Sequence, residues 1–467
     1  MISLRNRTNI LGISFALFAL IAMVRIEALS SLARNDAYPV FSSLDPQDFL
    51  LTHVKLQIKD PEFAKLKNDN AGISISPFGQ NAERGRDLDG VRTPLGDLKG
   101  RWGMIPLLFG KIPPGQTLAP VLETALNNLF PGVAPGDLND PNVIDPNQEF
   151  GYFSVPLKYR KRGVRFDLFA YIGGGFGVNF QTGVVCLSQT STGFIDKTCD
   201  VTFGCPFQPS VSKEDVEKYL MKPLKTIAEQ IKLSLCDFSE VSIEEIRFNL
   251  FWRNAFEVNK NLDDWPLFLF IPFLELSASI SPGETKDPDN QLFNKAFAVP
   301  FGNNDHTAVG FTAGMNFDFI ESIEIGAEVG STYFFKQDFD SYRVPTSACQ
   351  TGIFPFRTSV RIRPGINWHF GAKLSAYHFL DRLSGWFQYV QMEHKPDSIT
   401  LRKCEDLGFF LPEVLECRSS FKVKVANMAL NYDISPNIAL GIFVQLPLGQ
   451  QNAYRSTTVM FSFNGNF

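Results

Sequence analysis

The stretch that most constrains this chain runs from Tyr454 to Phe467. From Thr457 on, the odd positions Val459, Phe461, Phe463 and Phe467 are apolar. The even positions Thr458, Ser462, Asn464 and Asn466 are small and polar. Successive side chains of a strand point to opposite faces, so this is a strand with one greasy and one wet face. The greasy register continues to an aromatic residue at the last position given, which an ordinary soluble sheet does not need.

Composition agrees with many such strands. Phe occurs 45 times against 5 Trp and 11 Tyr. A lipid-facing belt repeated around a barrel uses that many aromatics; a soluble core does not. Past the N-terminal region no stretch is apolar for about 18 residues, so a membrane crossing by the mature chain has to be made by strands. The net charge of −5 gives no argument for nucleic acid.

Regular alternation begins at Phe150 and recurs to the end of the sequence. Phe166, Leu168, Ala170 and Ile172 oppose Arg165 and Asp167, and Phe248, Leu250 and Trp252 oppose Glu245, Arg247 and Arg253. Eleven strands can be counted from Phe150. Barrels of this kind carry an even number, and residues 101–110 supply the next candidate. The expectation is an all-β, antiparallel transmembrane β-barrel of about twelve strands, with fourteen as the alternative. Arg160, Lys161, Arg162 and Gly163 read as a tight turn, and Gly173, Gly174, Gly175 and Gly177 as strand. The register slips near Asn427, which a bulge would explain. Helical spacing appears at 117–130 and again within 181–243, where Ser212 and Asp215 form a capping box and Pro223 predicts a kink. Short links fall near 161, 261, 320, 382 and 434. Long ones fall at 181–243, 281–304, 336–355, 396–419 and 447–453.

Phe461, Phe463 and Phe467 make the closing strand similar to that of bacterial outer-membrane, porin-like β-barrels; no specific family within them is identified. The resemblance implies that these three residues serve as the insertion signal. It also implies outer-membrane lipid and the barrel-assembly machinery as partners, with a homo-oligomer a further possibility. The N-terminus fits export: Arg5 and Arg7 precede the apolar run Ile10 to Met23, and Ala28 or Ala33 offers a cleavage position. The expected organisation is a signal peptide at 1–33, a periplasmic or extra-strand segment at 34–97, and the barrel at 98–467 including the long loop 181–243. Both termini are expected on the periplasmic side, where the short turns gather.

Residues opposite the apolar register would line the lumen. They are Arg165, Asp167, Glu245, Arg247, Arg253, Glu275, Glu324, Glu328, Arg357, Arg361, Arg363, His369 and Lys373. Arg357, Arg361, Arg363 and Lys373 fall on one expected strand beside the acids, which would set a transverse field across a pore. In an exported chain the seven cysteines read as disulfide candidates, namely Cys186, Cys199, Cys205, Cys236, Cys404 and Cys417, with Cys349 left over. No CxxC spacing points to a metal, and no cofactor is implied. The five histidines form no recognisable catalytic element, so an enzyme is not expected. The expected function is a porin-like channel for passive diffusion of small hydrophilic solutes. One alternative is a structural or surface-interaction protein with a plugged barrel and a disulfide-stabilised external loop. The second is a transporter of hydrophobic solutes.

Overall fold

The computed structural model describes residues 71–98, 102–108, 110–132, 152–191, 193–197, 212–260, 266–280, 282, 296–297, 299, 301–303, 306–319, 323–348, 350–380, 382–435 and 437–467. The expected signal peptide and most of the 34–97 segment lie outside these residues, as do Cys199, Cys205 and Cys349.

Twelve antiparallel strands close into a ring: β1 (Ala71–Arg86), β2 (Leu157–Gly173), β3 (Phe176–Ser191), β4 (Phe238–Arg253), β5 (Pro266–Ile280), β6 (Ala308–Asp318), β7 (Ile323–Phe334), β8 (Asn367–Leu380), β9 (Leu383–His394), β10 (Phe421–Ser435), β11 (Ile438–Gln451) and β12 (Ala453–Asn466). A further stretch, Phe256–Lys260, continues the pairing of β4 with β5. Closure runs to the last residue: the Phe467 amide donates to the Ala71 carbonyl at 2.9 Å, and the Ala71 amide donates to Phe467 at 3.0 Å.

The strand count agrees with the expectation, but three strands are placed differently. The segment expected to be the twelfth strand, 101–110, lies in the connection between β1 and β2, largely as the 3₁₀ turn Ile105–Leu108. The ring strand is Ala71–Arg86, which is the extra-strand alternative for the N-terminal segment. Arg160 to Gly163 is not a turn but part of the cap-side half of β2. The turn is instead at Gly174 and Gly175, whose positive φ angles of 63° and 84° suit glycine. Val360 to Leu374 is not one strand either. Arg357–Arg363 pairs with Gln337–Arg343 and Ser398–Leu401 in a separate three-stranded sheet, and β8 begins only at Asn367. Pro364 and Gly365 break the run, and the Gly365 amide donates to Asp397 Oδ1 at 2.9 Å.

Large apolar side chains stand exposed on the outer face, among them Leu168, Phe248, Leu274, Phe311, Trp368, Phe387, Leu440 and Phe463. A soluble monomer rarely exposes more than a few hundred Å² of contiguous apolar surface. A belt around the whole ring therefore marks a transmembrane barrel. No described helix is long and apolar enough to cross a membrane.

One rim carries the tight links at 174–175, 319–322, 381–382 and 436–437 together with both Ala71 and Phe467. The other carries the long connections 87–156, 192–237, 281–307, 335–366 and 395–420, plus the single-residue turn at Asn452. The described parts of the long connections fold together into a cap. Helix α1 (Pro120–Leu129) fulfils the spacing at 117–130 and buries Leu122, Leu126 and Leu129. Ser212 caps α2 (Lys213–Val216) by accepting from the Asp215 amide at 3.2 Å. A π-helical turn and Pro223 then separate it from α3 (Leu224–Gln230). Trp102 sits at the cap's centre, only 1% exposed, with Phe297 at 5.0 Å and Phe153 at 6.0 Å. Its indole nitrogen donates to the Gly96 carbonyl at 2.5 Å. Asp97 ties two turns of the chain together, accepting from Ser154 Oγ at 2.5 Å and from the Val155 amide at 2.8 Å.

Candidate functional site

The enclosed interior is the candidate site, and it has two levels. Next to the cap it is apolar. Leu157, Tyr159, Val185, Phe334, Met392, Phe421, Val423 and Tyr454 point inward and belong to the same buried cluster as the cap. Tyr159 stacks on Tyr454 at 5.5 Å and donates its hydroxyl to the Phe297 carbonyl. Nearer the short-turn rim the interior is mainly polar and charged, with a small aromatic cluster of Phe169, Tyr171 and Phe251 among the polar groups.

Most of the expected lumen residues gather on this polar level. Arg165 and Asp167, both 1% exposed, form a forked pair with contacts of 2.7–2.9 Å. Arg247 reaches Glu245 at 3.3 Å, and Glu245 also accepts from Asn303 Nδ2 at 3.1 Å. Glu324 on β7 is shared between Arg253 at 3.3 Å and Lys373 at 3.2 Å, which joins β4, β7 and β8 across the interior. His369 Nε2 lies 3.5 Å from Thr312 Oγ1. Glu275 faces inward from β5 and is half-buried.

Three residues do not belong to the site. Arg357, Arg361 and Arg363 lie on the three-stranded sheet of the cap, so the expected basic ladder along one lumen strand is not formed. Arg361 is exposed and donates to Asp338 at 2.6 and 2.9 Å, holding that carboxyl below its ordinary range. Arg357 donates to the Lys232 carbonyl at 3.1 Å, beside Arg343, which donates to Ile231 at 2.5 Å. The pair sits at the C-terminus of α3, where cations are favoured. Burial, with Arg357 alongside, pushes the Arg343 guanidinium down to about 9.

The structure adds residues that a search for charges overlooks. Gln388 Nε2 donates to Glu328 Oε1 at 3.0 Å, Asn427 Nδ2 to Gln388 Oε1 at 3.0 Å, and Gln445 Nε2 to Asn427 Oδ1 at 3.1 Å. Thr458 Oγ1 donates on to Gln445 at 3.4 Å, and Gln80 Nε2 to Thr458 Oγ1 at 3.2 Å. Every donor points the same way, so the chain runs from β1 round to the Glu328 carboxylate on β7. Aligned hydrogen bonds polarise one another, and an ionised acceptor strengthens the end of the series. Glu328 passes over β8 at Gly371, where a Cβ would stand 2.5 Å from its Oε1. The signal was present in sequence as Asn and Gln on the register opposite the exposed apolar residues, at register-paired positions of neighbouring strands.

His394 is fully buried at the cap rim, with Nδ1 2.6 Å from Asn367 Oδ1 and Nε2 2.9 Å from Asp397 Oδ1. Ser419 Oγ donates to the Glu416 carbonyl and accepts from the Asp397 amide. This geometry ties the ends of β8 and β9 to the 395–420 connection and leaves the serine turned away from the imidazole, unlike a nucleophile and its base. Among the described residues no group of acids, histidines and cysteines has metal-binding geometry. Cys186, Cys236, Cys404 and Cys417 are free, so the bridges expected among them are not formed.

No protein-family profile and no curated protein matches the sequence. Solved structures with a related fold include an outer membrane channel from Pseudomonas putida F1, at TM-score 0.44 and 10% identity, covering 85% of this chain and 96% of that one. A toluene transporter from Ralstonia pickettii aligns at TM-score 0.31 and 10% identity, over 88% and 92% of the two chains. The translocator domain of the autotransporter NalP from Neisseria meningitidis aligns at 0.31 and 8%, over 86% and 91%. This chain is similar to them as a β-barrel.

Proposed function

We propose that the protein is an outer-membrane channel for small hydrophilic solutes, seen here in a closed conformation. The observation that carries this reading is the polar level of the interior. Paired ions and a directed series of amides line the space below the cap, which is a lining suited to polar solutes. The cap, whose apolar core continues into the top of the lumen, is then the closed entrance. Barrels in outer membranes turn short links to the periplasm and long ones outward. On that rule the cap is external and both Ala71 and Phe467 are periplasmic. Phe461, Phe463 and Phe467 on the lipid-facing register support delivery by the barrel-assembly machinery.

Single-channel recording on full-length protein in planar bilayers tests the reading. The parent protein should conduct rarely. Trp102→Ala, which loosens the cap, should conduct often, and adding Lys373→Glu should shift its selectivity towards cations. Silence from every folded variant would leave the second reading, a sealed barrel anchoring a surface domain. The cap's own large core favours that alternative.

A further inference from the structure

One sector of the barrel's outer face, formed by β12, β1 and β2, gathers arginines just above the apolar belt. On β2, Lys158, Arg160 and Arg162 point outward immediately above the apolar residues Val164, Phe166 and Leu168. On the neighbouring β1 and β12, Arg84 and Arg455 stand directly opposite each other in register. Neighbouring strands lie about 5 Å apart, and like charges facing across a sheet oppose pairing. Glu83 is the one outward acid on these three strands, and Lys158 takes it at 2.7 Å. Arg84, Arg160, Arg162 and Arg455 are exposed and meet no carboxylate among the described residues. Towards the short-turn rim, the outward faces of the same strands carry no charge at all, ending in Ile172, Ile73 and Phe463.

We infer that this sector binds a phosphorylated sugar-headed lipid of the leaflet on the cap side. The belt just below holds acyl chains, so a headgroup resting on it meets the arginines at the depth where phosphate lies. Arginine forks match phosphate oxygens two at a time. Asn81, Ser188 and Thr190, in register with Arg160 and Lys158 or beside them, place amide and hydroxyl groups where sugar hydroxyls come. The bound phosphates would also relieve the repulsion between Arg84 and Arg455. The inference rests on the membrane placement proposed above and is independent of conduction.

The test is native mass spectrometry of the full-length protein in a neutral detergent, titrated with bis-phosphorylated lipid A, dephosphorylated lipid A or inorganic phosphate. The expected result is one retained lipid A per barrel. The dephosphorylated lipid should bind about tenfold more weakly or worse, since each basic residue near a membrane surface contributes about 1 kcal/mol. Inorganic phosphate at the same concentration should not displace the lipid. Arg160→Glu with Arg162→Glu should lose retention to a similar degree, while Arg361→Glu on the cap should not. Folding of each variant is checked by heat-modifiable gel mobility. Equal retention of the dephosphorylated lipid by the parent protein, or undiminished retention by the folded double variant, overturns the proposal. The lipid comparison needs no variant, and silence in the bilayer recordings alongside phosphate-dependent retention would overturn the channel reading alone.

Discussion

The two levels of the interior are built by the same strands on opposite rules. Near the short-turn rim, polar residues face in and apolar residues face out, as on β2, where Arg165 and Asp167 oppose Phe166 and Leu168. Near the cap the assignment reverses without any change of register: Leu157 and Tyr159 face in, while Lys158, Arg160 and Arg162 face out. β10 does the same, with Phe421, Val423 and Val425 inward, Lys422 and Lys424 outward, then Asn427 inward and Met428 outward. The difference marks where lipid ends. Beside hydrocarbon the outer face must be apolar; above it the outer face is wet, and the cap supplies an apolar interior instead.

If that comparison holds, perturbing each level should give a distinct result. The largest effect is expected at the cap. Trp102→Ala removes a fully buried ring and should cost about 3–5 kcal/mol of cap stability. Limited proteolysis should then cut the connections while the barrel keeps its heat-modifiable mobility; simultaneous loss of both would mean that the two levels do not fold separately. Next comes Glu324→Ala, which strands Arg253 and Lys373 and should cost the barrel about 3 kcal/mol by urea titration. Adding Lys373→Met should recover part of the loss. Asn427→Leu breaks the amide series in its middle, leaving Gln445 without its acceptor and Gln388 without its donor, for about 2 kcal/mol. The same titration reads that change, and no shift would show that the series contributes nothing.

A smaller effect follows from His306 at the cap rim. Burial lowers its pKa below 6.5, with Nδ1 2.9 Å from the Phe335 carbonyl and Nε2 buried without a partner. The folded imidazole is neutral, so below pH 6.5 the unfolded chain binds the extra proton. Stability from this group is complete above that pH and falls as the pH drops towards the folded value. His306→Gln should flatten that part of the pH profile of cap unfolding. The smallest expected change is Arg361→Gln. Its pair with Asp338 is exposed and screened, so the unfolding midpoint should not move.

The reversal also explains what was legible in sequence. Where lipid sets the rule, alternation placed the strands, and Arg165, Glu324 and Lys373 lie on the inward register. Above the lipid, the same rule misread a continuous strand as broken. The basic run Arg160 to Arg162, outward at its ends and inward at Lys161, looked like a turn, and the inward Phe421 to Val425 looked like a register slip at Asn427. Only the neighbouring strand is irregular there: the pairing shifts between Lys424 and Val425, on the β11 side near Leu448. Arg357 to Arg363 alternates because it too is a strand, but one built on the cap core, and Pro364 with Gly365 was the local signal of that break. The amide series stayed hidden because neutral side chains give no sign of direction until their neighbours are known.

The backbone contact between Ala71 and Phe467 has one more consequence. The first and last strands hold each other as any other neighbours do, so the seam between them is one more antiparallel pairing of the ring. Residues 71–467 amount to a loop of chain with an arbitrary cut, and a permuted gene that splices those ends and opens at Gly174 and Gly175 would encode the same wall.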